Sequence, residues 1–341
     1  MVSVVPNKYY DNQDLKKILV IQTASIGDVI LATPVIEILH RFYPEASLDL
    51  LVKTGMEGLF RNHPFLHNVI TWNKNQGKYR NFFRIFGMIR KQKYDAVITV
   101  QRFALTGILA AFSGAKIRIG FSKNPFSIFF TTSIPHIFRE GMHEVERNLM
   151  LTAALTNTSI VNPRLYPTAT DHAKTAAYKS ATYYTISPAS LWFTKQYPLE
   201  KWVEFISYIP AQTKIYFLGS PNDNILCEEI IRRSGHQGCV DLSGKLSFLE
   251  SASLMKDARM NFTNDSAPMH LASAMNAPVT VIYCSTVPRF GFGPLSDDSK
   301  IVEIAGELYC RPCGIHGYRS CPEKHFRCAT QIDVDQLICR L

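Results

Sequence analysis

Short runs of Val, Ile and Leu alternate along the chain with longer stretches in which apolar residues return every third or fourth position. In the first half, residues 18–22, 47–52, 68–71 and 96–100 read as strands, and residues 34–42, 56–61, 79–92 and 105–112 as helices. Short β-branched runs separated by helices of roughly ten residues argue for βαβ units and a parallel sheet. Residues 142–155 continue the pattern as one long helix. Between 158 and 170 the periodicity lapses, and Asn162-Pro163 and Tyr166-Pro167 mark a junction. The rhythm then resumes, with strands at 183–187, 214–218, 239–241, 260–263 and 279–283 and helices at 200–209, 225–234, 248–256 and 269–275. The expected fold class is α/β, with two Rossmann-like domains facing each other across a cleft. They span 16–165 and 181–341, joined by a linker over 166–180 and preceded by an extension over 1–15.

Composition narrows the class. A chain of 341 residues with 46% hydrophobic and 19% charged positions has enough apolar material for two cores. No apolar run approaches the roughly 18 residues of a membrane span. The first 17 residues are polar and lack a signal core, so the expected location is the cytoplasm. The net charge of +9 is unevenly placed: residues 1–165 hold 20 Lys and Arg against 11 Asp and Glu, whereas residues 166–341 hold 17 of each. No acid lies between Glu57 and Asp95, while Lys78, Arg80, Arg84, Arg90 and Lys91 alternate there with Phe82, Phe83, Ile85, Phe86 and Ile89. Such a helix either rests on an anionic surface or packs its apolar stripe on a sheet with its cations solvated.

The chemistry concentrates at predicted strand ends. Asn264-Asp265-Ser266-Ala267-Pro268-Met269-His270 follows one strand and opens a helix, with Ser266 as a cap and Pro268 suited to the first helical position. The unpaired amides of such a helix start form an anion site, placed where α/β sheets bind phosphorylated ligands. His270 lies one turn on, either facing that site or packing in the core. In Ile26-Gly27-Asp28, after the first strand, Asp28 is either a helix-capping aspartate or a general base for a hydroxyl nucleophile. This turn lacks the several glycines of a dinucleotide fingerprint. Ser190 and Lys195 follow another strand, a hydroxyl and an ammonium suited to a diphosphate leaving group. Asp223 is either a ribose or base ligand or a turn aspartate.

Ile-Gly-Asp after the first strand, Lys195-Gln196-Tyr197-Pro198 and Asn-Asp-Ser-Ala-Pro-Met-His together resemble the ADP-heptose:lipopolysaccharide heptosyltransferases of glycosyltransferase family 9, over residues 16–340. The resemblance implies a GT-B fold, an acceptor-binding first domain, a nucleotide-sugar-binding second domain and inverting transfer that requires no metal cofactor. By position, Asp28 matches the catalytic base and Lys195 the phosphate-binding lysine. Ser190, Asp265, Ser266, Ala267 and His270 become donor contacts by the same match. From its place after a strand Asp223 joins them as a candidate donor contact, and from the charge pattern Lys78, Arg80 and Arg84 are candidate contacts to a lipopolysaccharide core at the inner membrane, with the enzyme peripheral to it. The family more often has Gly where this chain has Ala267, and Trp where it has Tyr197. His143, Glu144 and Arg147 resemble a family helix that faces the cleft.

Two features stand apart. Cys310, Cys313, Cys321 and Cys328 lie close together with His316 and His325 among them, candidate ligands of a structural zinc or an iron–sulfur cluster, or else reduced packed thiols. Asp333-Val334-Asp335 reads as the opening of a terminal helix rather than a metal site. A basic nucleic-acid-binding protein with a four-cysteine module is the competing class, but the basic excess and the cysteines lie in opposite halves and no nucleic-acid motif accompanies either. No nucleic-acid partner is therefore expected.

Overall fold

The computed structural model describes residues 14–75, 77–138, 141–157 and 159–341. Most of the expected N-terminal extension, residues 1–13, lies outside them. The chain divides into two compact units, one ending at Tyr166 and the other beginning at Pro167.

The first unit runs β1 (Lys17–Ile21), α1 (Ile26–Ile30), α2 (Thr33–Phe42), β2 (Ser47–Lys53), β3 (Leu66–Trp72), α3 (Lys78–Gln92), β4 (Ala96–Thr99), α4 (Ala104–Ala111), β5 (Ile117–Phe121), β6 (Thr132–Ile134) and α5 (Glu144–Met150). Its sheet has the order β3-β2-β1-β4-β5-β6. Every described pairing is parallel. The central strand β4 is buried at each position, as expected when helices cover both faces. On one face Leu19, Ile21 and Val97 meet Phe82, Ile85 and Ile89 of α3 and Leu109 of α4.

The long helix expected over 142–155 is shorter. His143 caps α5, its Nδ1 accepting from the Val145 amide while Glu146 accepts from the His143 amide, both at 3.1 Å. This reciprocal cap fixes the start. After Met150 the chain continues as turns, with Leu151 and Leu155 still buried, so the apolar spacing persists where the helix does not.

The second unit runs α6 (Ala169–Thr175), β7 (Tyr183–Ser187), α7 (Leu199–Ile206), β8 (Lys214–Phe217), α8 (Asn224–Ser234), β9 (Cys239–Asp241), α9 (Phe248–Lys256), β10 (Met260–Asn264), α10 (Ala267–Ala274), β11 (Val279–Tyr283), β12 (Ser299–Glu303), α11 (Arg327–Thr330) and α12 (Asp335–Ile338). The order β12-β11-β10-β7-β8-β9 repeats the topology of the first sheet. Helix α6, inside the stretch expected as linker, is pinned to α9 by Lys174–Glu250 at 2.7 Å and by His172 Nδ1 and Ser253 Oγ at 2.8 Å. Its core gathers Ile186, Trp202, Phe205, Phe217, Phe262 and Ile282. Between β12 and α11, residues 304–326 form neither helix nor strand.

Strand order reverses between β1 and β4 in one sheet and between β7 and β10 in the other. Open parallel sheets bind ligands beyond the carboxyl ends of their strands at such reversals. The residues singled out at Asp28, Lys195 and 264–270 follow β1, β7 and β10.

Candidate active site

At the reversal of the second sheet, Asn264 holds two loops together. Its Nδ2 donates to the Pro188 carbonyl at 2.6 Å, and its Oδ1 accepts from the Tyr197 amide at 3.0 Å. The loop after β7 is thereby fixed against the end of β10, and Lys195 comes to Asp265. The ammonium lies 2.7 Å from Asp265 Oδ2, with the two side chains 14% and 8% exposed. Thr286 Oγ1, beyond the end of β11, donates to the same oxygen at 2.6 Å. A buried ion pair is retained at a desolvation cost and needs further hydrogen bonds, which Thr286 supplies. An ammonium carries three N–H donors, so the ones not aimed at Asp265 remain for an anion.

Helix α10 starts beside this pair. The sequence suggested Ser266 as a side-chain cap, but its extended backbone (φ −154°, ψ −179°) turns the hydroxyl toward the carbonyls of Asn264 and Ala189, at 3.4 and 3.5 Å. Pro268 is the second helical residue and has no N–H, and the Met269 amide turns back to the Ser266 carbonyl at 3.1 Å. The anion-facing donors at this end therefore reduce to the amides of Ser266 and Ala267. Ala267 is partly exposed in helical backbone, where a methyl group is unstrained. His270 is 6% exposed, a core position.

Two other donor candidates are drawn into local structure. Asp223 Oδ2 accepts from the amide and hydroxyl of Ser220 at 2.7 and 2.8 Å, which is the turn-aspartate arrangement. Ser190 is partly exposed and its carbonyl accepts from Gln196 Nε2 at 2.7 Å.

Sequence reasoning did not connect the cysteine segment to this site. The irregular segment 304–326 is a strap over the Lys195 turn. The Thr194 amide donates to the Tyr318 carbonyl at 3.1 Å, and Thr194 Oγ1 accepts from the Tyr318 amide at 2.8 Å and from Ser285 Oγ at 3.0 Å. Arg311 locks the strap to the end of β11 through the carbonyls of Cys284 (2.8 Å) and Thr286 (2.7 Å) and through Glu303 (2.6 Å). Gly317 has φ +75°, and a Cβ there would stand 2.8 Å from Thr194 Oγ1 and 3.1 Å from Lys195 Cγ.

Cys310, Cys313, Cys321 and Cys328 line one cavity of about 340 Å³ together with Thr194 and Ser285. Burial, followed by the nearby thiols, pushes Cys328 up to about 12 and raises Cys313. Such thiols are poor nucleophiles. Among the described residues no three His, Cys, Asp or Glu side chains are grouped so as to hold a metal ion. The four cysteines share this cavity, and Cys310 Sγ lies 3.8 Å from His325 Nε2.

At the reversal of the first sheet, Asp28 is the third residue of α1. Its Oδ2 accepts from the Ser25 amide at 3.1 Å and from the Ser25 hydroxyl, so the capping interaction is real. No hydrogen bond to Oδ1 is found among the described residues, which leaves that oxygen available to a hydroxyl proton. Nearby, Glu144 of α5 bonds the fully buried Arg147 at 2.7 Å. Burial raises the Glu144 pKa, Arg147 opposes the rise, and the charge of Asp28 adds to it. Thr23 Oγ1 donates to Gln101 Oε1 at 2.5 Å and accepts from Lys74 Nζ at 2.7 Å, tying together the loops after β1, β3 and β4. Arg80 and Arg84 stand exposed on α3, with no hydrogen bond or ion pair to the Asp28 turn among the described residues. The Lys78 side chain lies outside the description.

The sequence matches glycosyltransferase family 9 (heptosyltransferase) over residues 82–320. Lipopolysaccharide heptosyltransferase 3 of Escherichia coli is 28% identical over 76% of this chain and 81% of its own length. Lipooligosaccharide heptosyltransferase 2 of Haemophilus ducreyi is 23% identical over 84% of this chain and 88% of its own. Among solved structures, the ADP-heptose lps heptosyltransferase II of E. coli aligns with a TM-score of 0.79 at 19% identity, covering 95% of this chain and 97% of that one. That likeness shows a shared fold, the GT-B architecture of two Rossmann-like units.

Proposed function

The chain belongs to glycosyltransferase family 9, and from that premise we propose that it transfers heptose from ADP-heptose to a sugar hydroxyl of the lipopolysaccharide inner core, with inversion. The observation that carries the donor half is the Lys195–Asp265 pair, braced by Thr286 and set beside the start of α10 at a sheet reversal. The relatives named above act on lipopolysaccharide or lipooligosaccharide, which supports the acceptor class.

In this mechanism the diphosphate sits on Lys195 and the amides of Ser266 and Ala267. Asp265 acts through Lys195 and positions it. Asp28 takes the proton of the acceptor hydroxyl as its oxygen bonds to the anomeric carbon. The bond from that carbon to the diphosphate oxygen breaks with its electron pair, and ADP leaves from the opposite face. Charge grows on the leaving oxygen where Lys195 and the helix start already stand, so stabilisation needs little reorganisation. The anomeric carbon acquires oxocarbenium character, as in glycoside hydrolysis. These fixed positive groups take the part that a divalent cation plays elsewhere, so transfer persists in the presence of a chelator. The cysteine strap serves as scaffold to Lys195.

Ala267 favours one variant of this reading, the same chemistry with a different nucleotide sugar, because its methyl group narrows the space beside the donor. The test is to incubate the protein with ADP-heptose and other nucleotide sugars and heptose-deficient lipopolysaccharide, then follow product mass. A heptose-sized increment that survives EDTA and is lost in Lys195→Ala is expected. Transfer from another donor alone selects the variant, and no transfer from any donor overturns both.

A further inference from the structure

Residues 58–139 contain 13 Lys and Arg and one acid, Asp95. That acid is already engaged, its Oδ2 accepting from the amides of Lys16 and Lys17 at 2.9 and 3.0 Å. Helix α3 buries Phe82, Ile85 and Ile89 in the first core, yet presents Tyr79 (71% exposed) and Phe83 (66%) outward beside the exposed Arg80 and Arg84. Packing on the sheet accounts for the inner stripe and not for these outer rings.

Ring contacts passing through the buried Phe82 link Phe83 to an exposed turn before β6, and with Tyr79 they mark out one ridge on this unit. Phe83 meets Phe82 edge-on at 5.6 Å, and Phe82 stacks with Phe86 at 6.3 Å. The Arg90 guanidinium lies 5.9 Å from the Phe86 ring and donates to the Phe112 carbonyl at 2.9 Å. Phe112 is 5.1 Å from Phe129, whose neighbour Ile128 is 82% exposed. Arg118 holds this turn outward, with Nε on the Phe129 carbonyl at 2.9 Å and a second bond to the Ala115 carbonyl.

We propose that this ridge, from Tyr79 and Phe83 on α3 to Ile128 and Phe129 before β6, is a docking surface for an anionic lipid bilayer. Basic residues draw such a surface to phosphate headgroups, and exposed aromatic and aliphatic tips enter the headgroup boundary. An outward Ile128 gives nothing to a nucleic-acid backbone but gains from leaving water at the acyl boundary. The proposal deepens the reading above, whose acceptor is a glycolipid, by supplying the contact between the first unit and the membrane carrying it.

The test uses the full chain and sedimentation with vesicles of phosphatidylcholine alone or mixed with phosphatidylglycerol. The protein is expected to sediment only with the anionic vesicles and to be released by high salt. Phe83→Ser combined with Ile128→Ser should lower that partitioning by roughly tenfold, from the lost burial of two apolar side chains. Both side chains are exposed, so circular dichroism and transfer to a deacylated, soluble acceptor should stay as in the parent, while transfer to vesicle-embedded acceptor falls. Parent protein that stays in solution with anionic vesicles, or a double variant that partitions equally well, overturns the proposal. So does binding to duplex DNA without binding to vesicles. Failure of the soluble-acceptor reaction in the parent refutes the proposed activity instead, and leaves the vesicle result to be judged by itself.

Discussion

At Lys195 one ammonium must be held still and yet remain able to meet an anion. Asp265 and Thr286 do the holding, so in the proposed mechanism Lys195 rather than Asp265 is the group that meets the diphosphate. Lys195→Ala is expected to lower kcat/KM by about 10² to 10³, the scale of losing one preorganised stabiliser of leaving-group charge. Thr286→Val should cost less and act mainly on KM for the donor; steady-state kinetics on both variants checks the order. Asp28→Asn separates its two roles, because Asn keeps an oxygen for the Ser25 cap and cannot take a proton. It should lower kcat by roughly 10² to 10⁴ with an unchanged melting temperature, measured by turnover and thermal denaturation. The placement of Asp28, Lys195 and Asp265 beyond strand ends was legible because each follows a strand in a short stretch of sequence. Thr286 was not, since its partnership with Asp265 depends on β10 lying beside β11, and no local pattern records that.

Among the elements, the strap over 304–326 has the least regular structure and packs beside the Lys195 turn. Its hold on Thr194 relies on backbone groups and on Arg311, so Arg311→Met should cost the second unit about 2 kcal/mol, as buried carbonyls lose their donor. Gly317→Ala adds a Cβ at positive φ against Thr194 and Lys195, a strain of roughly 1–3 kcal/mol. It should appear as a raised donor KM with kcat less affected, read from donor titrations. The strands and most helices could be read from apolar runs because both sheets are covered on their two faces. The strap could not, since without periodicity its only signal was cysteine spacing, which says nothing of what the segment packs against. The shortened α5 shows the opposite limit, as buried turns after Met150 preserve a helical spacing.

For the whole molecule, two sheets of one topology carry different titrating groups. His63 and His136, both buried in the first unit, are pushed down to about 4, by burial first and then by His40 in one case and Arg102, Arg147 and Lys123 in the other. The unfolded chain takes up these protons near the ordinary histidine value, so the first unit keeps its full stability above about pH 6.5 and loses it as pH falls toward 4. The loss is on the order of 2 kcal/mol for each histidine at the lower end. Trp72 reports on the first unit and Trp192 and Trp202 on the second, so acid titration of the parent and of Trp72→Phe, followed by fluorescence, should resolve the first unit unfolding earlier. The two-unit α/β plan was evident from the sequence, whereas the histidine burial depends on packing that no run of residues displays. The strap has a further consequence for synthesis. Thr194 waits for Tyr318, 124 residues later, so a chain leaving the ribosome carries its lysine turn unbraced until that segment has emerged. In the proposed mechanism, donor capture thereby waits for the strap to reach the lysine turn.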